Sequence, residues 1–300
     1  MKPARLTGFT FLVLITLCIY SCKEEEPSLN IPDSYDFGNV NYDGQLQRLA
    51  MLLEMKNYLS TSTENGAVLN AGRLKAMYAN DAPVAEWQGT YDASKQLKEK
   101  TFEFYQELFD KLLDAVARAS VSTVAGGPGQ AGIVSSEDGS KRYLLNENGL
   151  ELAQAIEKGL MGACFYYQAT AVYLGDEKMN VDNQSVEPGE GTAMEHHWDE
   201  AFGYYGVPAS FPATTSPLFF WGSYSNQRDL LLSCNQKMMD AFLKGRAAIS
   251  AGNLAVRDEA IAEVRTNWEL ISGATAISYL NQALENFDDP ALRAHTLSEA

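Results

Sequence analysis

Histidine and cysteine are the scarce reactive side chains of this sequence, three and four among 300 residues. No Cys-x-x-Cys pair and no His-Glu-x-x-His occurs, which excludes a thiolate zinc site of that kind and the zincin arrangement of a metallopeptidase. A nucleophile elbow with a Ser-His-Asp order is also missing, so no peptidase or esterase chemistry is written in the residues, and no catalytic residue is assigned. Basic residues are few, 23 Lys and Arg against 39 Asp and Glu, for a formal charge of -16. Nothing accumulates to offset phosphate, which excludes nucleic acid as a partner. No apolar run reaches bilayer-spanning length. The glycine-rich GGPGQAG at 126–132 has no Gly-Lys-Ser/Thr opening a helix behind it, so it is not a phosphate loop.

What is present begins with a leader. Lys2 and Arg5 precede a short apolar run at 9–20, and Ile19-Tyr20-Ser21-Cys22 resembles a lipobox, making 1–21 a signal peptide and Cys22 the lipidated first residue. Lys23 followed by Glu24, Glu25 and Glu26 resembles the acidic export signal of surface lipoproteins. The expectation is an outer-membrane lipoprotein facing the cell exterior, held to the membrane by its N-terminal acyl chains, with 22–32 as the tether.

The body, 33–300, reads as all-α: a multi-helix bundle with long surface loops, either one large helical domain or two packed halves, 33–120 and 146–300. After an extended aromatic segment at 33–41, apolar residues at helical spacing predict helices over 43–60 and 70–79, and a long one from Asp92 or Ser94 to about Ser120. Residues 121–142, with GGPGQAG and SSEDGS, predict a surface loop or link. Residues 146–173 predict a central helix buried on several sides, where Gly159 and Gly162 let a neighbour approach. The acidic loop 175–191 lacks the alternating oxygens and the glycine of a calcium loop. Thr192 and Glu195 form a capping box that opens a helix ended by Gly206 and Pro208. Helices over 226–250 and 253–287 and a last one after Pro290 follow, and its periodicity is still running at Ala300, which predicts that the natural chain continues. Cys164 and Cys234 fall in apolar helical patterns, where a buried free thiol is the usual state and a disulfide is allowed but not implied.

The chemistry gathers at 195–200, Glu-His-His-Trp-Asp-Glu. In a helix, Glu195, His196, Asp199 and Glu200 share a stripe. His196 with Glu200 is a His-x-x-x-Glu-Ala spelling repeated by His295 with Glu299. Imidazole plus carboxylate suits zinc, iron or manganese, and bundles build such sites from facing helices. The expected site is therefore a divalent transition metal, iron or zinc, on His196, Glu200, His295 and Glu299, with Glu195, Asp199 and His197 supporting the ligands by hydrogen bonds. His197 also reads as His-x-x-Glu with Glu200 but lies about 100 degrees around the helix from His196, so one ring only is expected at the site, with His196 favoured by the match to His295.

The runs HHWDEAFGYYGVP, NGLELAQAIEKGLMGACFYYQ, NVNYDGQLQRLAMLLEM and HTLSEA together resemble an uncharacterised family of Bacteroidota-type lipoproteins carried as a domain of unknown function. More distantly, His197-Trp198-Asp199-Glu200 resembles the end of the Gly-x-His-x-x-Glu signature of imelysin-like proteins, with Glu195 in the glycine's place. That resemblance implies a helical-bundle lipoprotein of iron acquisition. Two classes stay open: a surface protein that binds a metal ion or a metal-containing ligand, and a metal-free structural or ligand-binding module for glycans or peptides, its contact face made by Phe219, Phe220, Trp221 and Tyr224. In the second class the His–Glu pairs are buried polar contacts that fix helix packing.

Overall fold

The computed structural model describes residues 29–64 and 66–300. The leader, the Cys18 within it, and the lipidation site at Cys22 lie outside the described residues. Eleven α-helices and one two-stranded sheet make up the regular structure of the described part. The all-α bundle expected from the periodicity is what the chain forms.

Helix α1 (Asp43–Glu64) places Leu49, Leu52, Met55 and Leu59 on its buried face, three and four apart as a half-buried helix requires. Asn70 caps α2 (Ala71–Ala79) by accepting from the Arg73 N–H, and a single turn, α3 (Ala82–Ala85), follows. The long helix expected from Asp92 or Ser94 begins late, as α4 (Glu103–Ser120). Residues 94–102 are instead a turn with a short 3-10 segment at Lys98–Lys100. Thr101 is extended, and the Phe102 N–H donates to Ala163 O across the bundle rather than back along its own chain. That tertiary bond replaces one helical bond and stops the helix from running further back.

The stretch expected to be a loop contains a hairpin, β1 (Gly132–Ser135) paired antiparallel with β2 (Arg142–Leu145), Ile133 opposite Leu144. Asp-Gly between two apolar runs is a hairpin signal, here in a longer connection in which Asp138 accepts from Ser136 and Ser140.

The central helix starts as α5 (Leu152–Leu160) and then widens into two π-helical segments, Met161–Tyr166 and Gln168–Tyr173. A π-helix leaves backbone groups displaced from the α-helical ladder, and neighbours take up carbonyls there. Trp221 Nε1 donates to Met161 O, and Arg265 donates to Thr170 O and Leu174 O. In return, Gln168 Nε2 donates to Lys100 O, which pins the irregular 94–102 stretch against the widened helix. Gly159 admits the Phe109 ring, which lies 2.9 Å from where a Cβ would stand, whereas Gly162 faces open space.

Short α6 (Asp176–Met179) leads into a strap at 180–191 and then α7 (Ala193–Tyr205), stopped by Gly206 at φ 77°. Helix α8 (Phe220–Leu232), α9 (Cys234–Ser250), α10 (Leu254–Glu285) and α11 (Pro290–Glu299) complete the chain, with Ser233 in the left-handed region separating α8 from α9. Buried side chains from Tyr35 to Ile271 form one cluster, so α1–α4 and α5–α10 share a core. Cys164 and Cys234 are free and buried. Among the described residues no helix is long and apolar enough to cross a membrane.

Candidate functional site

Helix α7 carries the site because its start is fixed twice over. Thr192 Oγ1 accepts the Glu195 N–H, and Glu195 Oε2 accepts the Thr192 N–H, the capping box read from the sequence. From that start the helix sorts its polar residues onto two faces, not the single stripe expected. Residues 195 and 199 point to α9, and residues 196 and 200 point to a cleft about 100 degrees away.

The inward face is an ion network. Arg246 of α9, almost wholly buried, donates through Nε to Asp199 Oδ1 at 2.9 Å and through Nη1 to Glu195 Oε1. Tyr35 OH donates to the same Asp199 oxygen at 2.6 Å, and Ser250 Oγ donates to Glu195. Asp199 Oδ2 is buried and has no partner among the described residues. Burial pushes the Asp199 carboxyl up to about 7, against the pull of Arg246 and Tyr35. Burial works on Glu195 in the same direction, but Ser250, the Thr192 N–H and Arg246 outweigh it and hold that carboxyl below its usual value. One buried cation thus serves two carboxylates, and the deeper one takes the proton first. Glu195 and Asp199 brace helices; the expected support of metal ligands is not their role here.

The outward face opens on a cleft of about 840 Å³ between α1, residues 94–100, the strap and α7. Glu200 is its best-connected group: Gln45 Nε2 donates to Oε1 at 2.9 Å, His197 Nδ1 lies 2.9 Å from Oε2, and His196 Nε2 lies 3.8 Å from that oxygen. Both rings therefore reach Glu200, a correction to the expectation of one. The carboxylate is long enough to sit between residues i-3 and i-4. His197 then turns under Tyr173, its ring centre 5.9 Å away, and His196 lines the cleft. Burial raises the Glu200 carboxyl, but His197, His196, Gln45 and Tyr173 together outweigh it and hold the group low, hence charged. Glu190 Oε2 comes within 2.8 Å of His196 Nδ1, off the direction of a hydrogen bond, so this is an electrostatic contact. Asn41 Nδ2 donates to Glu190 Oε1 at 2.6 Å and the Gly189 N–H donates to Asn39, tying the strap down over the cleft.

His295 and Glu299 are elsewhere. His295 Nδ1 lies 2.6 Å from Glu151 and Nε2 3.3 Å from Glu299, with the ring stacked on Tyr143 at 4.2 Å. Glu299 also pairs with Lys158, which pairs with Glu157 and through it with Lys56. His295 borders a separate cavity of about 150 Å³ with Glu151 and Tyr143. The shared four-ligand site is thereby overturned: α11 packs on α10, α5 and the hairpin, and its histidine closes an ionic chain there. Among the described residues no group of three or more His, Cys, Asp or Glu is placed to hold a metal ion. The aromatic face at 219–224 is also turned in, with Phe220, Trp221 and Tyr224 buried.

Arg48, Lys95, Lys100, Gln45 and Tyr173 were missed as site residues. Reading 94–120 as one helix spread the lysines around an exposed surface, and only the break at Thr101 gathers them. No curated protein and no solved structure matches this chain. The family model described as "Domain of unknown function (DUF4856)" matches residues 33–300, the whole helical body, and the chain belongs to that family.

Proposed function

We propose that this protein is a lipid-anchored binding protein of the outer cell surface that captures a charged small molecule, a metal chelate among the forms that suit it, in the cleft beside His196 and Glu200. The observation that carries the reading is the cleft: about 840 Å³, within the range of small-molecule sites, and lined mostly by polar and charged side chains. A bare ion held by protein ligands alone does not fit, because His196 and Glu200 offer two donors and no third His, Cys, Asp or Glu completes a set among the described residues. A metal that arrives with its own organic ligands needs only such a partial set, and this is the form in which iron, the expectation drawn from the imelysin-like His197-to-Glu200 run, suits these residues. Lipid anchoring at Cys22 and surface display rest on the leader alone.

Purification of the mature chain from its native cells, followed by elemental analysis and native mass spectrometry, tests the reading. Bound ligand or metal approaching one per chain is expected, lost in His196→Ala and Glu200→Gln and retained in His295→Ala. Identical, empty spectra for all four proteins would remove it.

A further inference from the structure

Three cations line this cleft, Arg48 from α1 with Lys95 and Lys100 from the 94–102 stretch, in a chain of formal charge -16. What marks these three is that they gather in one cleft, with Arg48 buried there. By contrast Lys98, next to them in the chain, is neutralised by Asp110, and Lys75 of α2 by Asp114, each at 2.7 Å. Arg48, Lys95 and Lys100 form no ion pair among the described residues. Arg48 is buried, and its Nε and Nη1 donate to Gln96 O and Gly44 O. Those bonds to backbone carbonyls fix the guanidinium plane without neutralising it. Lys95 lays its stem over Gly44, where a Cβ would stand 3.2 Å from its Cε. Lys100 Nζ donates to Tyr173 OH at 3.0 Å and sits 5.3 Å from that ring's centre.

We propose that the ligand of this cleft presents an anionic group, a carboxylate or a phosphate, to Arg48, Lys95 and Lys100. The inference rests on the cleft being the binding site and adds the class of ligand. Desolvated like charges held together cost free energy that an arriving anion offsets; burial and the neighbouring Arg48 hold the Lys100 ammonium below its ordinary value, the sign of such a cost. A guanidinium set by two backbone bonds and an ammonium steadied on a phenol are pre-organised for oxygen acceptors, which saves ordering entropy on binding. Asp182, Glu187 and Glu190 of the strap and Glu99 line the same cleft. They repel a polyanion, so the ligand carries its negative charge at one end and a cationic or hydrogen-bond-donating remainder toward the strap, His196 and Glu200.

The test uses the full mature chain and two probes at millimolar concentration and constant ionic strength, inorganic phosphate and acetate, read by ligand-induced thermal shift and calorimetry against each variant's own baseline. At least one probe should bind, and Lys95→Ala and Lys100→Met should each weaken it about tenfold or more, while Lys75→Ala leaves it unchanged. A response to phosphate alone assigns a phosphate source, and a response to acetate alone assigns a carboxylate. Absence of binding by both probes, or affinities untouched in Lys95→Ala and Lys100→Met, overturns the inference. A co-purifying ligand that is lost in His196→Ala but kept in both lysine variants would leave the cleft as the binding site and remove only the anion. A ligand kept in all three variants would remove both.

Discussion

At the scale of single residues, Asp199 gives the fold a pH dependence opposite in sign to that of its lowered carboxyls. Its folded-state value, about 7, stands above the ordinary 3.8, so the folded state holds a proton that the unfolded chain has already released. The stability it contributes is present in full below about pH 4 and is lost as pH rises toward 7. Measured as the difference between wild type and Asp199→Asn, which cannot ionise, urea unfolding should show the wild type losing about 2–4 kcal/mol across that window. Removing the shared cation leaves Glu195 without a counter-charge at every pH above the carboxylate range and Asp199 as well above about pH 7, so Arg246→Met should cost about 3–5 kcal/mol, measured by the same unfolding curves. The sequence offered half of this network. Glu195 was legible as a capping partner because capping is a local rule, three residues long. Its bond to Arg246, 51 residues away, was not, because an arginine in a helical pattern carries no mark of the face it will bury.

Elements meet closely where side chains are absent. Gly245 of α9 lies under Trp198 of α7 and against Ala260 of α10, and a Cβ there would stand 2.1 Å from the indole. Alanine normally improves a helix by about 0.5–1 kcal/mol over glycine. At this crossing the overlap reverses the sign, and Gly245→Ala should destabilise by about 3 kcal/mol or more. Gly273 of α10 faces open space, so Gly273→Ala should instead gain the ordinary increment; paired thermal melts of the two variants check both signs. Most helices are legible from apolar spacing, but the helix expected over 226–250 is two, α8 and α9, parted at Ser233, and the single turns α3 and α6 lie in stretches that carry no such spacing. The breaks were less so: the start of α4 and the widening after Leu160 are decided by bonds between distant segments, Phe102 N–H to Ala163 O and Trp221 to Met161 O, which periodicity does not encode. The hairpin could have been found from Asp138-Gly139 between Ile133-Val134 and Tyr143-Leu144-Leu145.

For the molecule as a whole, two His–Glu pairs of identical spelling serve two different ends of the bundle. Spacing along a helix fixed each pair, since residues four apart meet on any helix. Whether two helices then face each other is a matter of topology, and α11 docks on α10 and α5 instead of on α7. Independence of the two places has a measurable consequence. His295→Ala removes a ring that touches Glu151, Glu299 and Tyr143 and should lower stability by about 1–3 kcal/mol, with ligand affinity at the cleft unaltered; calorimetric titration beside a denaturation curve separates the two effects. Glu54 shows the same economy of long-range pairing, accepting from the Gln88 and Gly89 N–H groups and from Tyr91 OH to hold the loop after α3 against α1.

The widened stretch from Met161 to Tyr173 carries a consequence for how this architecture can change. A π-helical turn amounts to one surplus residue threaded into an α-helix, and each residue of an α-helix advances the azimuth by about 100 degrees. Deleting one amino acid between Met161 and Gln168 would let the tighter coil reform with Tyr173 still turned toward Lys100, at the cost of the displaced Met161 carbonyl that Trp221 uses. A single in-frame codon loss in this stretch is therefore one the recess can absorb, whereas the same loss in α5, which holds no surplus residue, would turn everything from Met161 to Tyr173 by about 100 degrees.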